Sequence, residues 1–108
     1  MTQEPHRAFF GDAEHPFRLT AKLTLELEKT TGAGIGALCA RVFNRQFAIS
    51  DLTETLRLSL IGSGMSPERA ASLVATYAID RPLIEIYPIA VAVLELCWFG
   101  QPHEANNG

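Results

Sequence analysis

Three glycines within five positions, Gly32-Ala-Gly34-Ile-Gly36, are the stretch of this chain that most resembles a chemical device. A phosphate cradle needs backbone N–H groups aimed at an anion from a strand-to-helix turn, and its common fingerprints are GxGxxG and GxxxxGK[ST]. The spacing here is GxGxG, no Lys-Ser or Lys-Thr follows, and the preceding segment is charged rather than a buried apolar strand. Gly32 therefore reads as a left-handed cap on a helix ending at Thr31, with Gly34 and Gly36 letting the chain reverse closely before Ile35 enters the core. The other reactive side chains do not converge. His6, His15 and His103 fall on two tails and a turn, none at metal-ligand spacing with another ligand. Glu85 and Glu95 are ten residues apart and point well away from each other on a regular helix. No GxSxG, HExxH or paired-carboxylate pattern is present. Cys39 and Cys97 sit far apart, each among apolar neighbours, and read as two buried thiols of a reducing compartment. These residues predict no enzyme, no cofactor and no metal site.

Charge narrows the partners. Nine basic against twelve acidic residues give a net charge of −3 without a basic cluster. Phosphate neutralisation supplies most of a nucleic-acid binder's affinity, so no nucleic-acid partner is expected. The segment Leu52 to Ile79, broken at Gly62-Ser-Gly64, has the outline of a helix-turn-helix, but Arg69 is the only basic residue of its second helix. An ordinary helical hairpin is the better reading. The longest wholly apolar run is Ile86 to Leu94, with Pro88 inside it, whereas a span needs about 20 residues. Met1 to His6 lacks the charged head and apolar middle of a signal peptide, so a cytoplasmic protein without a membrane segment is expected.

The elements that must carry these residues follow from pattern. With 47% hydrophobic and 19% charged residues in 108, the chain has the composition of one folded domain. Residues 1–6 read as a flexible N-terminus, 7–100 as a single helical domain with an N-terminal hairpin, and 101–108 as a flexible tail. Arg7 to Phe10, a turn from Gly11 to Pro16, and Phe17 to Leu19 predict the β-hairpin. From Phe17 to Leu27 apolar and polar residues alternate, which by period alone is a strand. Leu, Glu and Lys dominate Lys22 to Lys29, however, and Thr20 can cap, so a helix is expected from Ala21 to Thr31.

Ile35, Leu38, Cys39, Val42 and Phe43 paint one stripe on the next helix. Ser50-Asp51 opens a third, with Asp51 and Glu54 in capping-box spacing, Leu52, Leu56 and Leu60 as its spine and Gly62-Ser-Gly64 as its stop. Ser66-Pro67 starts a fourth, whose inner face is Ala70, Val74, Tyr77 and Ala78. The last helix is expected from about Leu83 to Phe99, bent at Pro88 and ended by Gly100. It carries two apolar stripes: Ile86, Ala90, Val93, Leu94 and Cys97, and then Leu83, Tyr87, Val91 and Trp98. A helix apolar nearly all round is surrounded, either by its own bundle or by another chain. Should it meet another chain, the contact residues are Leu83, Ile86, Tyr87, Val91, Leu94, Trp98 and Phe99. The fold class is mainly α, a small bundle of about five helices with an N-terminal β-hairpin.

The order of these parts carries a resemblance. Phe17-Arg-Leu-Thr20, Leu27-Glu28, Thr31-Gly32-Ala-Gly34-Ile35-Gly-Ala-Leu38, Ile49-Ser-Asp51-Leu, Leu56-Arg57 to Leu60-Ile-Gly62, and Leu94 to Gly100 resemble the gene transfer agent family of small proteins. That family is similar to phage tail assembly chaperones and is sometimes described as a tail tube protein group. The resemblance implies a non-enzymatic, chaperone-like protein that shields apolar segments of a tape-measure protein while a tail assembles. It implies no cofactor and no active-site residue. A tape-measure or other tail protein is the implied partner, and a homo-oligomer is compatible. The alternatives are a structural tail component retained in the particle and a small helical regulatory or nucleic-acid binding protein.

Overall fold

A computed structural model describes residues 4–100 of the chain. The expected tail at 101–108, His103 within it, and residues 1–3 lie outside the described residues. Two antiparallel strands, β1 (His6–Phe10) and β2 (Ala13–Phe17), precede five α-helices. The helices are α1 (Ala21–Thr31), α2 (Ile35–Phe43), α3 (Ile49–Gly62), α4 (Pro67–Tyr77) and α5 (Tyr87–Phe99), with a 3₁₀ turn at Leu83–Glu85 before the last. The mainly α bundle with an N-terminal hairpin is thus what the chain forms.

The hairpin is tighter than its sequence suggested. Ala13 to Pro16 belong to β2 rather than to a turn, leaving Gly11-Asp12 as a two-residue loop with Ala8 opposite His15. Gly11 has a φ of 71° and Asp12 stays negative, the pattern of a type II′ turn that matches strand twist. The inner face carries Phe10 and Phe17, packed edge-to-face with centroids 6.1 Å apart. His15 is buried on that same face and hydrogen-bonded to Asp12 at 2.9 Å. Pro16 is tolerated because both strands of a two-stranded sheet are edges.

In α1 the helix outcompetes the alternating pattern. Thr20 accepts the Leu23 N–H at 3.2 Å, and Gly32 closes the far end at φ 72° with its N–H on the Glu28 carbonyl. A strand would have put Leu23, Leu25 and Leu27 on one face. The helix turns Leu27 fully inward and leaves Leu25 62% exposed.

The centre of the bundle is α3, which packs against α1, α2, α4, α5 and β2. Leu52, Leu56 and Leu60 form the expected spine, but Leu58, Thr55, Ser59 and Asp51 are buried as well. Burying hydroxyls is destabilising unless they are hydrogen-bonded. Thr55 donates to the Asp51 carbonyl at 2.6 Å and Ser59 to the Thr55 carbonyl at 2.6 Å, so each is satisfied within its own helix. The helix begins one residue earlier than expected, after Ala48, and Asp51 occupies its third position. From there Asp51 Oδ2 accepts the Ala48 N–H at 2.8 Å; alanine offers no reciprocal acceptor, so this is half a capping box. Glu54, the other residue expected in the box, instead pairs with Arg57 at 2.6 Å. The Asp51 carboxylate also receives a two-pronged guanidinium contact from Arg41 on α2, at 2.8 and 2.7 Å.

Close approach fixes two glycines, neither of them in the triple-glycine stretch. A Cβ at Gly62 would collide with the Arg18 backbone carbonyl, and one at Gly11 with the Tyr77 ring. At Gly34 and Gly36 a Cβ would meet only ordinary contacts, at 3.8 and 3.9 Å, so the expected close reversal there is not what these glycines provide. The Arg18 N–H bonds the Ser59 carbonyl at 2.9 Å, which is why the exit of β2 presses so tightly on the end of α3.

Three substitutions should change stability in ways these contacts dictate. Gly62→Ala should lower the unfolding free energy by about 3 kcal/mol, because backbone on both sides must shift, whereas Gly36→Ala should raise it by about 0.5 kcal/mol by removing a glycine from the first turn of α2, where a Cβ meets only ordinary contacts. Urea melts of the two variants check the opposite signs. Asp51→Ala should destabilise by about 2–3 kcal/mol, since it strips the Ala48 N–H and the Arg41 fork of their acceptor; an unchanged urea midpoint would contradict the role given to this carboxylate.

Candidate protein-binding face

The first turn of α5 locks it to α2. Tyr87 donates its hydroxyl hydrogen to the Val42 carbonyl at 2.7 Å, and its ring stacks on Phe47 with centroids 5.3 Å apart. At the other end, the Trp98 ring lies against Gly36 in the first turn of α2. The two helices therefore run antiparallel. Pro88 stands in the first turn of α5, where no intrahelical donor is required, so it starts this helix rather than bending one that began at Leu83. The preceding 3₁₀ turn forms a separate element because Pro82 and Pro88 bracket it.

Only one of the two apolar stripes of α5 is enclosed. Ile86, Ile89, Ala90, Val93 and Leu94 are buried. Trp98 is 58% exposed, Phe99 73%, and Ile84 in the 3₁₀ turn 73%. Of the seven residues expected to meet another chain, Ile86 and Leu94 point into the core and contribute packing alone. Tyr87 and Val91 are half-buried walls, and Leu83, Trp98 and Phe99 lie outside. Between the walls runs a groove of about 440 Å³, lined by Phe43, Arg45, Ile84, Tyr87, Pro88, Val91, Ala92 and Glu95. Sequence reasoning missed Ile84, Phe43 and Arg45 as members of this face. Ile84 was findable, since Ile84, Val91 and Trp98 recur every seven residues, which places them on one side of a helical pattern. Phe43 and Arg45 come from a different element and carry no such signal.

The groups considered for chemistry are placed apart or already engaged. The Ile35 N–H at the start of α2, the site a phosphate would need, donates to the Glu28 carboxylate at 2.7 Å. A carboxylate of the chain itself thus holds the anion position at the triple-glycine bend. Cys39 is buried, and burial pushes its thiol up to about 11, with Cys97 adding to the shift. Cys97 is exposed, which corrects the expectation of two buried thiols: its position on α5 turns it past the edge of the enclosed stripe. Among the described residues no group of three or more His, Cys, Asp or Glu could hold a metal ion, and no helix is long and apolar enough to cross a membrane. The more polar cleft of about 560 Å³ beside the hairpin contains Arg81 and Glu85, which pair with each other at 3.0 Å.

Fold and face together define a small helical domain with an outward apolar face along its last helix. The family described as phage tail tube protein, GTA-gp10, matches residues 4–100, and the chain belongs to that family. It is accordingly a gene transfer agent protein related to phage tails, as the order of its sequence elements suggested. No curated protein and no solved structure matches the chain.

The contrast between the cysteines is directly measurable. In the native protein at pH 8, an uncharged thiol reagent should modify Cys97 rapidly and leave Cys39 protected, and both should react in denaturant. Mass mapping of the labelled peptides distinguishes them; equal native rates would contradict the burial of Cys39.

Proposed function

We propose that this protein is a chaperone-like assembly factor of a phage-like gene transfer agent, acting by covering apolar segments of a tape-measure protein while the tail forms. The observation that supports this reading is the face made by Ile84, Trp98 and Phe99 beside the α5 groove. Large aromatic side chains left in water on one side of a stable domain carry much of the energy at protein interfaces. A groove beside a helix accepts a partner helix laid along it, the usual means by which an amphipathic segment is held. Long apolar helices released before their tube exists would aggregate, and reversible cover over them solves that problem without any bond being made or broken. The action belongs in the cytoplasm, where tails assemble, and involves neither cofactor nor nucleic acid.

A second reading, a structural tail component retained in the particle, is favoured by one observation, the tail-tube wording of the family's own description. The two readings separate by what remains in finished particles.

Co-expression with the tape-measure protein of the same gene cluster should keep that protein in the soluble fraction, and the Trp98→Ala/Phe99→Ala variant should reduce the recovered complex by about tenfold or more while retaining its helical circular dichroism. Quantitative mass spectrometry of purified particles should find the chain far below stoichiometric amounts. Stoichiometric retention would establish the structural reading instead, and a variant that still protects the tape-measure protein would overturn the role of this face.

A further inference from the structure

We infer that the α5 seam is self-complementary and that two copies of this chain pair along it, α5 against α5, in an antiparallel two-fold dimer. The groove is charged at two points only. Arg45 stands at the end where α5 begins: its N–H bonds the Val42 carbonyl at 3.1 Å, the same oxygen that accepts the Tyr87 hydroxyl. Glu95 stands two turns further along, roughly 12 Å from Tyr87 at 1.5 Å per residue. Neither has an ion-pair partner among the described residues, although Arg41, Arg57, Arg69 and Arg81 each do. A groove positive at one end and negative at the other fits a second copy of itself when the copies run in opposite directions.

The register follows from the seam. An axis at Val91 sets Glu95 of one copy opposite Tyr87 of the other, beside which Arg45 of that other copy sits. The same axis lays Trp98 of one copy over Ile84 of the second, so the exposed apolar groups of the seam cover one another. Both contacts occur twice, once on each side of the axis. A charged residue at a seam position weakens pairing in every register except the one that provides its partner, which is how such residues fix alignment.

A second, independent observation concerns the backbone at Arg45. Gln46 N–H bonds the Arg41 carbonyl at 2.7 Å and Arg45 N–H the Val42 carbonyl, which together form the six-to-one and five-to-two closure of a helix C-terminus. The residue at its centre normally is glycine, because φ is positive. Here it is Arg45 at φ 59°. An arginine held in a conformation that favours glycine fits the side-chain role that the pairing gives it, although Asp80 shares that backbone conformation at φ 65°.

The pairing occupies the same α5 face that the assembly function proposed above offers to a tape-measure segment, so on any one copy the two exclude each other; the pairing does not depend on that function and is tested with the full chain alone, in the absence of any tail protein. Sedimentation equilibrium between roughly 1 and 300 µM should show a monomer–dimer equilibrium. R45E and E95R should each weaken dimerisation about tenfold, since each turns two attractive contacts into repulsive ones. Mixing the two variants should restore association as a heterodimer, in which both crossed contacts are again attractive. R45G should keep or raise the melting temperature of the dilute monomer while weakening the dimer, a combination that a purely structural role for Arg45 does not give. A chain monomeric throughout that range overturns the inference, as does a dimer indifferent to both charge reversals or an R45G protein that dimerises like the parent. Failure of tape-measure protection at concentrations where the chain is monomeric would overturn the assembly role alone.

Discussion

A carboxylate taken fully out of water must be met by donors on the spot, and Asp51 is met from two sides. The Ala48 N–H and the Arg41 guanidinium converge on it, tying the start of α3 to its own preceding loop and to α2. The guanidinium answers in kind, its charged form favoured chiefly by its hydrogen bonds to Asp51. This pairing is what permits α3 to begin inside the bundle. With Asp51 met by the Ala48 N–H and Arg41, and with Thr55 and Ser59 bonded back to their own helix, the polar side chains buried within α3 are satisfied, and the unmet buried hydroxyl of Ser63 lies just past its end. The hairpin, α1, α2, α4 and α5 then all pack on one central helix.

Because α3 takes the middle, α5 is left at the flank. The most apolar helix of the chain is therefore covered on one side only, and the remainder of its surface faces outward as Ile84, Trp98 and Phe99 around a groove. An exposed apolar patch in a stable small domain marks an interaction surface more often than an accident of composition. The chain belongs to a phage-tail family, and tail proteins in general work by association. Arg45 and Glu95 then give the face a direction, which apolar area by itself cannot supply.

Glycine shows how local resemblance and tertiary need part company. Gly32-Ala-Gly34-Ile-Gly36 looks like a ligand loop, yet Glu28 closes its helix N-terminus and only Gly32 requires a left-handed backbone. Gly62 looks like one member of a helix stop, yet its missing side chain is what lets the Arg18 carbonyl approach. Without that approach β2 could not dock on α3, and a lone hairpin is marginal in water.

The sequence by itself determined the element order and most of the helix ends. Thr20, Gly32, Ser66 and Pro67 act through chain neighbours, and local chemistry is readable wherever both partners lie within a few residues. It also determined the stripes of α2 and α4 and, through the order of the parts, the family. The tertiary structure decided which helix is central, and the reason is physical. Thr55, Ser59 and Asp51 look polar in sequence, but their hydrogen bonds make them buriable, whereas Leu83 to Phe99 looks buried and has too few neighbours to cover it. Among the residues of the face, Tyr87, Val91, Trp98 and Phe99 were legible as apolar spacing on one helix. Arg45 and Phe43 were not, because they join that surface only after α2 and α5 have packed antiparallel, a distance of some forty residues along the chain that no local pattern spans.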